Sequence, residues 1–253
     1  MSAAKPHAVV TGGGSGIGLA IAKALAAAWH PVTIMGRNED RLASALRELP
    51  GATAARCDVA NAASVEAALA AAAERHGPVG ILVNAAGVAR TAPFATSADA
   101  LWDEMWRINV LGAVHTSRAV LPAMRGLEMG RIINVASTAA LKGYAYASAY
   151  AATKHALLGL TRSLALELAK TAITVNALCP GYTDTDIIRD AVANIVAKTG
   201  RSEEDALAAF TAANPQGRLI APEEVAATLS WLVSPAARSI TGQAIIVAGG
   251  EIM

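Results

Sequence analysis

The fold is decided by the stretch Thr11-Gly12-Gly13-Gly14-Ser15-Gly16-Ile17-Gly18. It follows a short apolar run, Ala8–Thr11, and leads into an alanine-rich stretch, Ile17–Ala28. Glycines let a backbone turn tightly and approach a phosphate, and the first N–H groups of a helix attract anions. The spacing is Gly12-x3-Gly16-x-Gly18 and not GxGxxG, yet it predicts the same strand–turn–helix arrangement for a dinucleotide pyrophosphate. A merely flexible turn is the alternative.

Apolar runs alternate with helical stretches along the rest of the chain, and no Pro/Gly/Ser linker separates them. The strands predicted are Ala8–Thr11, Val32–Met35, Thr53–Cys57, Ile81–Asn84, Arg131–Val135, Thr174–Leu178 and Ala244–Val247. The helices predicted are Ile17–Ala28, Glu39–Leu49, Ser64–His76, Asp99–Met124, Ser148–Lys170 and Pro222–Val233. Continuous apolar strands that alternate with helices favour a parallel sheet with right-handed crossovers. We therefore predict one α/β domain over residues 1–253, a doubly wound (Rossmann) seven-stranded parallel sheet flanked by helices.

One connection is longer than the others. About 65 residues separate the last two predicted strands, and a long connection in a compact domain is usually a binding loop or lid. The stretch Thr185–Gln216 has mixed polarity and helical character. It is predicted to be a substrate-covering helical flap, with extra helices packed at the sheet edge as an equally good alternative.

Composition excludes several function classes. Of the 253 residues, 54% are hydrophobic and the formal net charge is +1, so attraction to nucleic acid or to an anionic membrane is not expected. The two cysteines, Cys57 and Cys179, form no CxxC pair, and neither a disulfide nor a metal site is predicted. The segment Met1–His7 has no signal-peptide pattern, and we expect a cytoplasmic protein without membrane spans.

The end of the second predicted strand bears on the choice of cofactor. Enzymes that prefer NAD carry an acidic residue near this point for the ribose hydroxyls, whereas this chain has Gly36 followed by Arg37. A guanidinium can hold a 2′-phosphate with two parallel hydrogen bonds. The sequence thus predicts a preference for NADP(H). A solvated Arg37 beside a helix cap at Asn38, with NAD(H) as the cofactor, is the alternative.

Three side chains indicate acid–base chemistry. Tyr150 and Lys154 are four residues apart on a predicted helix, so a phenol and an ammonium lie one above the other. A desolvated ammonium favours the phenolate and lowers the pKa of a tyrosine. Ser137 stands thirteen residues upstream, at the end of a buried strand, where doubly wound folds present their chemistry. Tyrosine and lysine at this spacing on an ordinary solvated helix are the alternative.

These motifs together resemble the classical short-chain dehydrogenases/reductases, whose glycine signature is TGxxxGxG, and within them the 3-oxoacyl-(acyl-carrier-protein/CoA) reductases. The resemblance implies that Ser137 orients the substrate carbonyl, that Tyr150 transfers the proton, and that Lys154 lowers the tyrosine pKa and holds the nicotinamide ribose. It implies that Asn109, in Arg107-Ile108-Asn109-Val110, shapes a helix so that water connects the lysine with solvent. A helix asparagine that bonds back to a carbonyl is the alternative.

The same resemblance extends the predicted cofactor site. It implies that Asp58 and Val59 lie at the adenine, and that Asn84-Ala85-Ala86-Gly87 is the family's NNAG turn, held by Asn84 and Gly87 with Ala85 as a departure. In Pro180-Gly181-Tyr182-Thr183-Asp184-Thr185 it implies contacts of the Thr183 backbone and the Thr185 hydroxyl with the nicotinamide carboxamide and the diphosphate.

The substrate is less well specified. Candidate pocket residues mix small, aromatic and basic side chains, namely Thr138, Ala139, Lys142, Tyr144 and Tyr182. The resemblance favours a 3-oxoacyl or 3-hydroxyacyl thioester, with a basic residue near the carrier phosphate. A small cyclic or aryl ketone or a sugar, oxidised with NAD as the secondary alcohol, is the alternative. The resemblance also implies a homotetramer, or a homodimer, in which the helix bearing Trp102 and Trp106 and the Tyr150 helix pair with a neighbour.

Two rival classes remain at this stage. A serine hydrolase needs a GxSxG elbow, but Ser15 is followed by Ile17 two places on. A non-catalytic dinucleotide-binding protein would keep the glycines but would have no reason to keep Ser137, Tyr150 and Lys154 together. We therefore predict an NAD(P)-dependent oxidoreductase that acts on CH–OH and C=O groups, without a metal.

Overall fold

The computed structural model describes residues 5–253. The first four residues of Met1–His7, the segment in which no signal peptide is expected, lie outside the described residues. All seven predicted strands are confirmed and form one parallel sheet in the order β3-β2-β1-β4-β5-β6-β7. Their bounds are β1 His7–Thr11, β2 Val32–Gly36, β3 Thr53–Arg56, β4 Val79–Asn84, β5 Gly130–Val135, β6 Ile173–Pro180 and β7 Ala244–Val247. The chain order reverses between β1 and β4, which places a crevice outside the carboxyl ends of these two strands.

Nine α-helices cover the sheet within residues 5–253. They are α1 Gly16–Ala27, α2 Glu39–Leu46, α3 Ala62–His76, α4 Asp99–Trp106, α5 Gly112–Met124, α6 Ser148–Glu167, α7 Asp186–Thr199, α8 Glu203–Thr211 and α9 Pro222–Leu232. One apolar core joins α1, α2 and α9 to one face of the sheet. A second core joins α3, α5 and α6 to the other face. Strands β1, β2, β4, β5 and β6 are buried along almost their whole length, which explains their continuous apolar sequence, whereas β3 and β7 at the sheet edges are partly exposed.

The single helix predicted over Asp99–Met124 is wrong in one respect. Helices α4 and α5 are joined by a π-helical segment, Arg107–Leu111, so the helix is widened in its middle. The apolar spacing continues through this segment, which is why the sequence predicts an unbroken helix. A π-helical segment inside an α-helix frequently marks a functional site, and this one contains Asn109.

The long connection between β6 and β7 contains α7 and α8, which fall within the predicted flap at 185–216. These two helices share a small apolar cluster with Tyr182 and Leu219 instead of joining the two main cores. In the part of the chain that the structure describes, no helix is both long enough and apolar enough to cross a membrane.

Candidate active site

The glycine turn lies at the carboxyl end of β1, and at Gly12, Gly13 and Gly18 it has room only for hydrogen. Gly12 has φ +67° and Gly16 has φ +51°, a backbone region that side chains disfavour. A Cβ added to Gly18 would lie 2.3 Å from the Gly12 carbonyl oxygen. Ser15 stands at the start of α1, and its hydroxyl makes no capping bond to that helix within residues 5–253. The turn therefore has the shape and the free N–H groups that a pyrophosphate requires.

The segment after β6 faces this turn. A Cβ added to Gly16 would lie 3.1 Å from the Thr185 methyl carbon, so Thr185 is opposite the start of α1. The Thr185 hydroxyl donates to the Thr183 carbonyl at 3.2 Å, and the Thr183 hydroxyl donates to the Gly181 carbonyl at 3.0 Å. Because both hydroxyls bond to backbone, the Thr183 segment has a fixed course beside the glycine turn. This geometry fits a dinucleotide that runs between the two segments.

The turn after β4 is held differently from the prediction. Asn84 is 5% exposed and bonds to Thr116 at 2.7 Å and Asn134 at 2.9 Å, so it ties β4 to its neighbours and does not hold the turn. The Thr11 hydroxyl instead accepts from the N–H groups of Ala85 and Ala86, both at 3.1 Å. Thr11 is a functional residue that sequence reasoning missed, although it opens the glycine stretch.

Gly87 and Ala86 border the two neighbouring parts of the site. A Cβ on Gly12 would lie 2.9 Å from the Ala86 Cα, which packs the two turns together. A Cβ on Gly87 would lie 3.2 Å from the Asn109 amide oxygen and 3.7 Å from the Lys154 ammonium nitrogen. The turn after β4 thus spans from the glycine turn to the predicted acid–base residues.

Those predicted acid–base residues come together at the carboxyl end of β5. The Lys154 ammonium is 5.6 Å from the centre of the Tyr150 ring, and it donates to the Val135 carbonyl at 3.0 Å. Burial lowers the pKa of Lys154 to about 8, although the lysine still carries its proton in most molecules at neutral pH. Burial raises the pKa of Tyr150, and the neighbouring Ser137 hydroxyl opposes this by stabilising the phenolate.

The effect on Tyr150 differs from the sequence expectation of a lowered pKa. In the structure the largest influence is loss of water around the phenol, because a phenolate is poorly stabilised in a dry environment. The ammonium field of Lys154 and the positive charge of an oxidised nicotinamide have to overcome that cost. Until those charges are in place, the buried phenol stays neutral and keeps its proton.

Asn109 links the π-helical segment to both sides of the site. It is 2% exposed, and its amide accepts from the Val88 N–H at 2.8 Å and donates to the Val88 carbonyl at 2.9 Å. It also donates to the Thr153 hydroxyl at 3.1 Å, and Thr153 donates to the Tyr150 carbonyl at 2.8 Å. The alternative of a bond back to its own helix is therefore wrong. Asn109 holds the turn after β4 against the Tyr150 helix.

The predicted adenine and ribose residues lie at the carboxyl ends of β2 and β3. Arg37 is exposed directly after β2, and the adjacent Asn38 caps α2 by accepting from the Arg41 N–H at 2.9 Å. Asp58 accepts from the Ala60 N–H at 3.1 Å, which fixes a turn after β3, and Val59 is buried. A Cβ on Gly36 would contact only Leu42, at 3.5 Å, so a larger residue would fit there. The glycine at 36 is not forced by packing.

The predicted substrate residues form one wall. The Thr138 hydroxyl is 2.6 Å from the Tyr144 hydroxyl, and the Tyr144 ring meets the Tyr182 ring edge-on at 6.1 Å. Ala139 is 1% exposed, and its N–H donates to the Ser137 hydroxyl at 3.1 Å. This last bond helps to orient Ser137, whose hydroxyl also neighbours the Tyr150 phenol. Tyr146, which has no lysine four residues on and is not assigned to proton transfer, is 66% exposed and lies at the surface.

The basic residue of this wall is not a free cation. The Lys142 ammonium lies 3.0 Å from the carboxylate of Glu251, whose side chain is 1% exposed. The Tyr144 hydroxyl donates to the same carboxylate. Sequence reasoning missed Glu251, because a lone acid in Gly249-Gly250-Glu251 matches no motif. The only available signal was its position just after the last strand.

Comparison with known proteins identifies the family. The sequence profile of the short chain dehydrogenases matches residues 6–195. The chain belongs to the short chain dehydrogenase family. Curated relatives of this short chain dehydrogenase include a protein named as a ketoacyl reductase of the granaticin polyketide synthase of Streptomyces violaceoruber, at 42% identity over 98% of this chain and 94% of the relative. Another is D-beta-hydroxybutyrate dehydrogenase of Cupriavidus necator, at 38% identity over 97% of each chain.

Solved structures agree with this assignment. A variant of actinorhodin polyketide ketoreductase, crystallised with NADPH, has a TM-score of 0.93 and 39% identity, covering 98% of this chain and 97% of that one. L-sorbose reductase of Gluconobacter frateurii, in complex with NADPH and L-sorbose, has a TM-score of 0.92 and 32% identity, with the same coverage. The short chain dehydrogenase fold predicted from the sequence is confirmed, and the protein is an NAD(P)-dependent oxidoreductase.

Proposed function

We propose that the protein transfers a hydride between NADP(H) and a ketone or secondary alcohol, with a 3-oxoacyl thioester as the first substrate class to test. One observation carries the proposal: Tyr150, Lys154 and Ser137 meet at the strand end beside a glycine turn that fits a pyrophosphate. A non-catalytic dinucleotide-binding protein would not need the buried lysine of this group, because a buried cation without a carboxylate is costly.

In the proposed mechanism, NADP(H) supplies or accepts the hydride. Tyr150 gives its phenolic proton to the carbonyl oxygen in the reductive direction and takes it back in the oxidative one. Ser137 donates to the same oxygen and polarises the carbonyl. Lys154 supplies positive charge next to the phenol and holds the nicotinamide ribose, while Asn109 keeps the turn after β4 in place. Assistance from a positioned acid–base group typically contributes about 10²–10⁴-fold to the rate.

Cofactor binding would use the segments around the glycine turn. Ser15, Gly16, Ile17 and Thr185 would hold the diphosphate, and Asp58 and Val59 the adenine. Preference for NADP(H) is supported by the missing carboxylate at Gly36, by the exposed Arg37, and by the NADPH bound in the two similar crystal structures.

Steady-state kinetics test both the reaction and the cofactor. NADPH and NADH oxidation are compared with acetoacetyl-CoA, L-sorbose and cyclohexanone as acceptors, and Arg37→Ala is measured beside the wild type. We expect kcat/KM to favour NADPH and Arg37→Ala to reduce this preference. An NADH preference that survives Arg37→Ala overturns the cofactor assignment. Near-wild-type turnover by a folded Tyr150→Phe variant overturns the catalytic assignment.

We further propose a cytoplasmic homotetramer, or a homodimer as the smaller alternative. Trp106 on α4 is 44% exposed and Leu166 on α6 is 79% exposed, and both helices are the ones expected to pair with a neighbour. Trp231 on α9 and Ile246 on β7 are also exposed, at 46% and 37%. Light scattering coupled to size-exclusion chromatography tests the assembly, and a clean monomer contradicts it.

A further inference from the structure

Glu251 is a buried carboxylate beside the proposed substrate pocket. It follows β7, and its side chain is 1% exposed. One oxygen, Oε1, lies 3.0 Å from the Lys142 ammonium and accepts from the Tyr144 hydroxyl. The other oxygen, Oε2, has no hydrogen-bond partner among residues 5–253. A buried, half-satisfied carboxylate is expensive, so its presence here calls for a reason beyond packing.

The carboxylate fixes the direction of a short hydrogen-bond chain. Tyr144 has a single hydroxyl proton, and it is donated to Glu251, which is an acceptor when ionised beside Lys142. The Thr138 hydroxyl, 2.6 Å from the Tyr144 oxygen, must therefore be the donor of that bond. The Thr138 proton is then donated to Tyr144 and the Tyr144 proton to Glu251, so both stay within the wall. Towards the pocket, the oxygens of Thr138 and Tyr144 can only accept.

Glu251 also lies where three segments of the wall meet. A Cβ added to Gly181 would lie 2.8 Å from its Oε2 atom, so the segment after β6 packs directly on the carboxylate. Tyr144 meets the Tyr182 ring at 6.1 Å, and Tyr182 meets Phe210 of α8 at 5.1 Å. A change at Glu251 can therefore displace the wall through Tyr144, and the predicted flap through the edge-to-face contacts of Tyr144, Tyr182 and Phe210.

We propose that Glu251 is a positioning residue which holds Tyr144 and makes this wall a hydrogen-bond acceptor, so that the enzyme selects ketones carrying a hydroxyl group close to the reacting carbonyl. The inference rests on the proposed function, because it concerns the substrate of the same site. Lys142 does not turn the wall into a hydrogen-bond donor, because its side chain is 39% exposed and its ammonium is paired with the same carboxylate. A ketone without a hydroxyl leaves the acceptors of the wall unpaired.

A matched pair of ketones tests the proposal. The wild type is assayed with NADPH and either 2-hydroxycyclohexanone or 2-methylcyclohexanone, which differ by a hydroxyl in place of a methyl group. We expect kcat/KM to be more than about tenfold higher for the hydroxyketone, the discrimination that one unpaired polar group typically produces. If both ketones are reduced equally well, the proposal fails while the proposed function stands. If neither is reduced while acetoacetyl-CoA or L-sorbose is, the proposal fails and the proposed function stands; if none of these carbonyl compounds is reduced, both fail.

Variants then assign the selectivity to Glu251. Glu251→Ala should raise the KM for the hydroxyketone about tenfold, while kcat and the KM for the methyl ketone change less than about threefold. Glu251→Gln keeps an acceptor for Tyr144 and should restore most of the selectivity. Glu167→Ala is the matched control, because Glu167 is 67% exposed at the surface. Unchanged selectivity in Glu251→Ala overturns the proposal.

Tyr144→Phe keeps the test decisive if Glu251→Ala does not fold, because it leaves the ion pair of Glu251 with Lys142 in place. It should reduce the selectivity to a similar extent by freeing the Thr138 proton. Where Glu251→Ala folds, adding it to Tyr144→Phe should then cost little more, since both changes remove the same bond. Fully additive effects on KM contradict the idea that Glu251 acts through Tyr144. Thermal unfolding of every variant separates these effects from a loss of fold.

Discussion

Replacing Gly18 with alanine adds one methyl group where the backbone leaves no space. The new Cβ would lie 2.3 Å from the Gly12 carbonyl oxygen and 2.8 Å from the Gly12 carbonyl carbon, whereas real Cβ contacts are essentially never shorter than 3.0 Å. Both clashing atoms belong to backbone, so no side chain can rotate away. The start of α1 has to move from the glycine turn by most of an ångström. Such overpacking costs about 1–3 kcal/mol.

This strain can weaken either NADPH binding or the stability of the fold, and both can be measured. If the turn opens, NADPH binding has to close it again, and about 2 kcal/mol of strain would raise Kd about thirtyfold. If the turn stays closed, the free energy of unfolding falls by the same amount. NADPH binding is followed by the change in its fluorescence, and stability by chemical denaturation. The two losses together should account for the strain.

Gly14→Ala is the control within the same turn. Its Cβ would lie 3.5 Å from the nearest atom, the Arg41 Cβ, which is an ordinary contact. Gly14 and Gly18 are both absent from the residues with positive φ, so neither position needs glycine for its backbone conformation. We expect Gly14→Ala to bind NADPH and unfold like the wild type. Wild-type binding and stability in Gly18→Ala, or equal damage in Gly14→Ala, would refute the packing argument.

Three further predictions concern stability and positioning. Trp29 is 85% exposed and has φ +65° at the end of α1, a conformation that glycine adopts without strain. Trp29→Gly should raise the free energy of unfolding by about 1 kcal/mol, and a lower denaturation midpoint in this variant contradicts the prediction. Burial lowers the pKa values of His7 and His30 in the folded protein. Below pH about 6.5 the unfolded chain therefore binds more protons than the folded one, and the free energy of unfolding, measured by denaturation, should fall as the pH falls. His7→Gln should make this dependence on pH shallower. Asn109→Leu leaves the Val88 backbone unpaired, so kcat should fall by about tenfold or more in a folded variant, and unchanged kcat would refute its positioning role.

Most of the fold could be predicted because the central strands are buried along their length and the first turn carries glycines. The π-helical segment at Arg107–Leu111 could not, since its apolar spacing continues that of the flanking helices. It is specified by tertiary contacts: Asn109 has to reach both Val88 and Thr153, which lie on different elements. Local sequence carries no sign of such a long-range requirement.

The candidate site likewise contains residues that could be predicted from the sequence and residues that could not. Motif residues such as Tyr150 and Lys154 lie four apart on one helix, so their neighbourhood follows from local geometry. Asn84 was assigned to the turn because it precedes that turn in the sequence, whereas its amide bonds to Asn134 on β5 and Thr116 on α5. The role of Thr11 was missed, although it opens the glycine stretch, because its partners Ala85 and Ala86 are distant in the chain. Glu251 was missed because a lone acid has no recognisable spacing.

The surroundings of Lys154 give the proposed chemistry its physical basis. Lys154 as a residue is 6% exposed, and within residues 5–253 its ammonium forms a hydrogen bond to the Val135 carbonyl and no salt bridge to a carboxylate. A carboxylate partner would neutralise the field of the lysine and leave little of it for the phenol. Without one, the charge acts on Tyr150, whose ring centre is 5.6 Å away. The site thus accepts the cost of a buried cation, and the phenolate that forms when Tyr150 gives up its proton is the charge that offsets it.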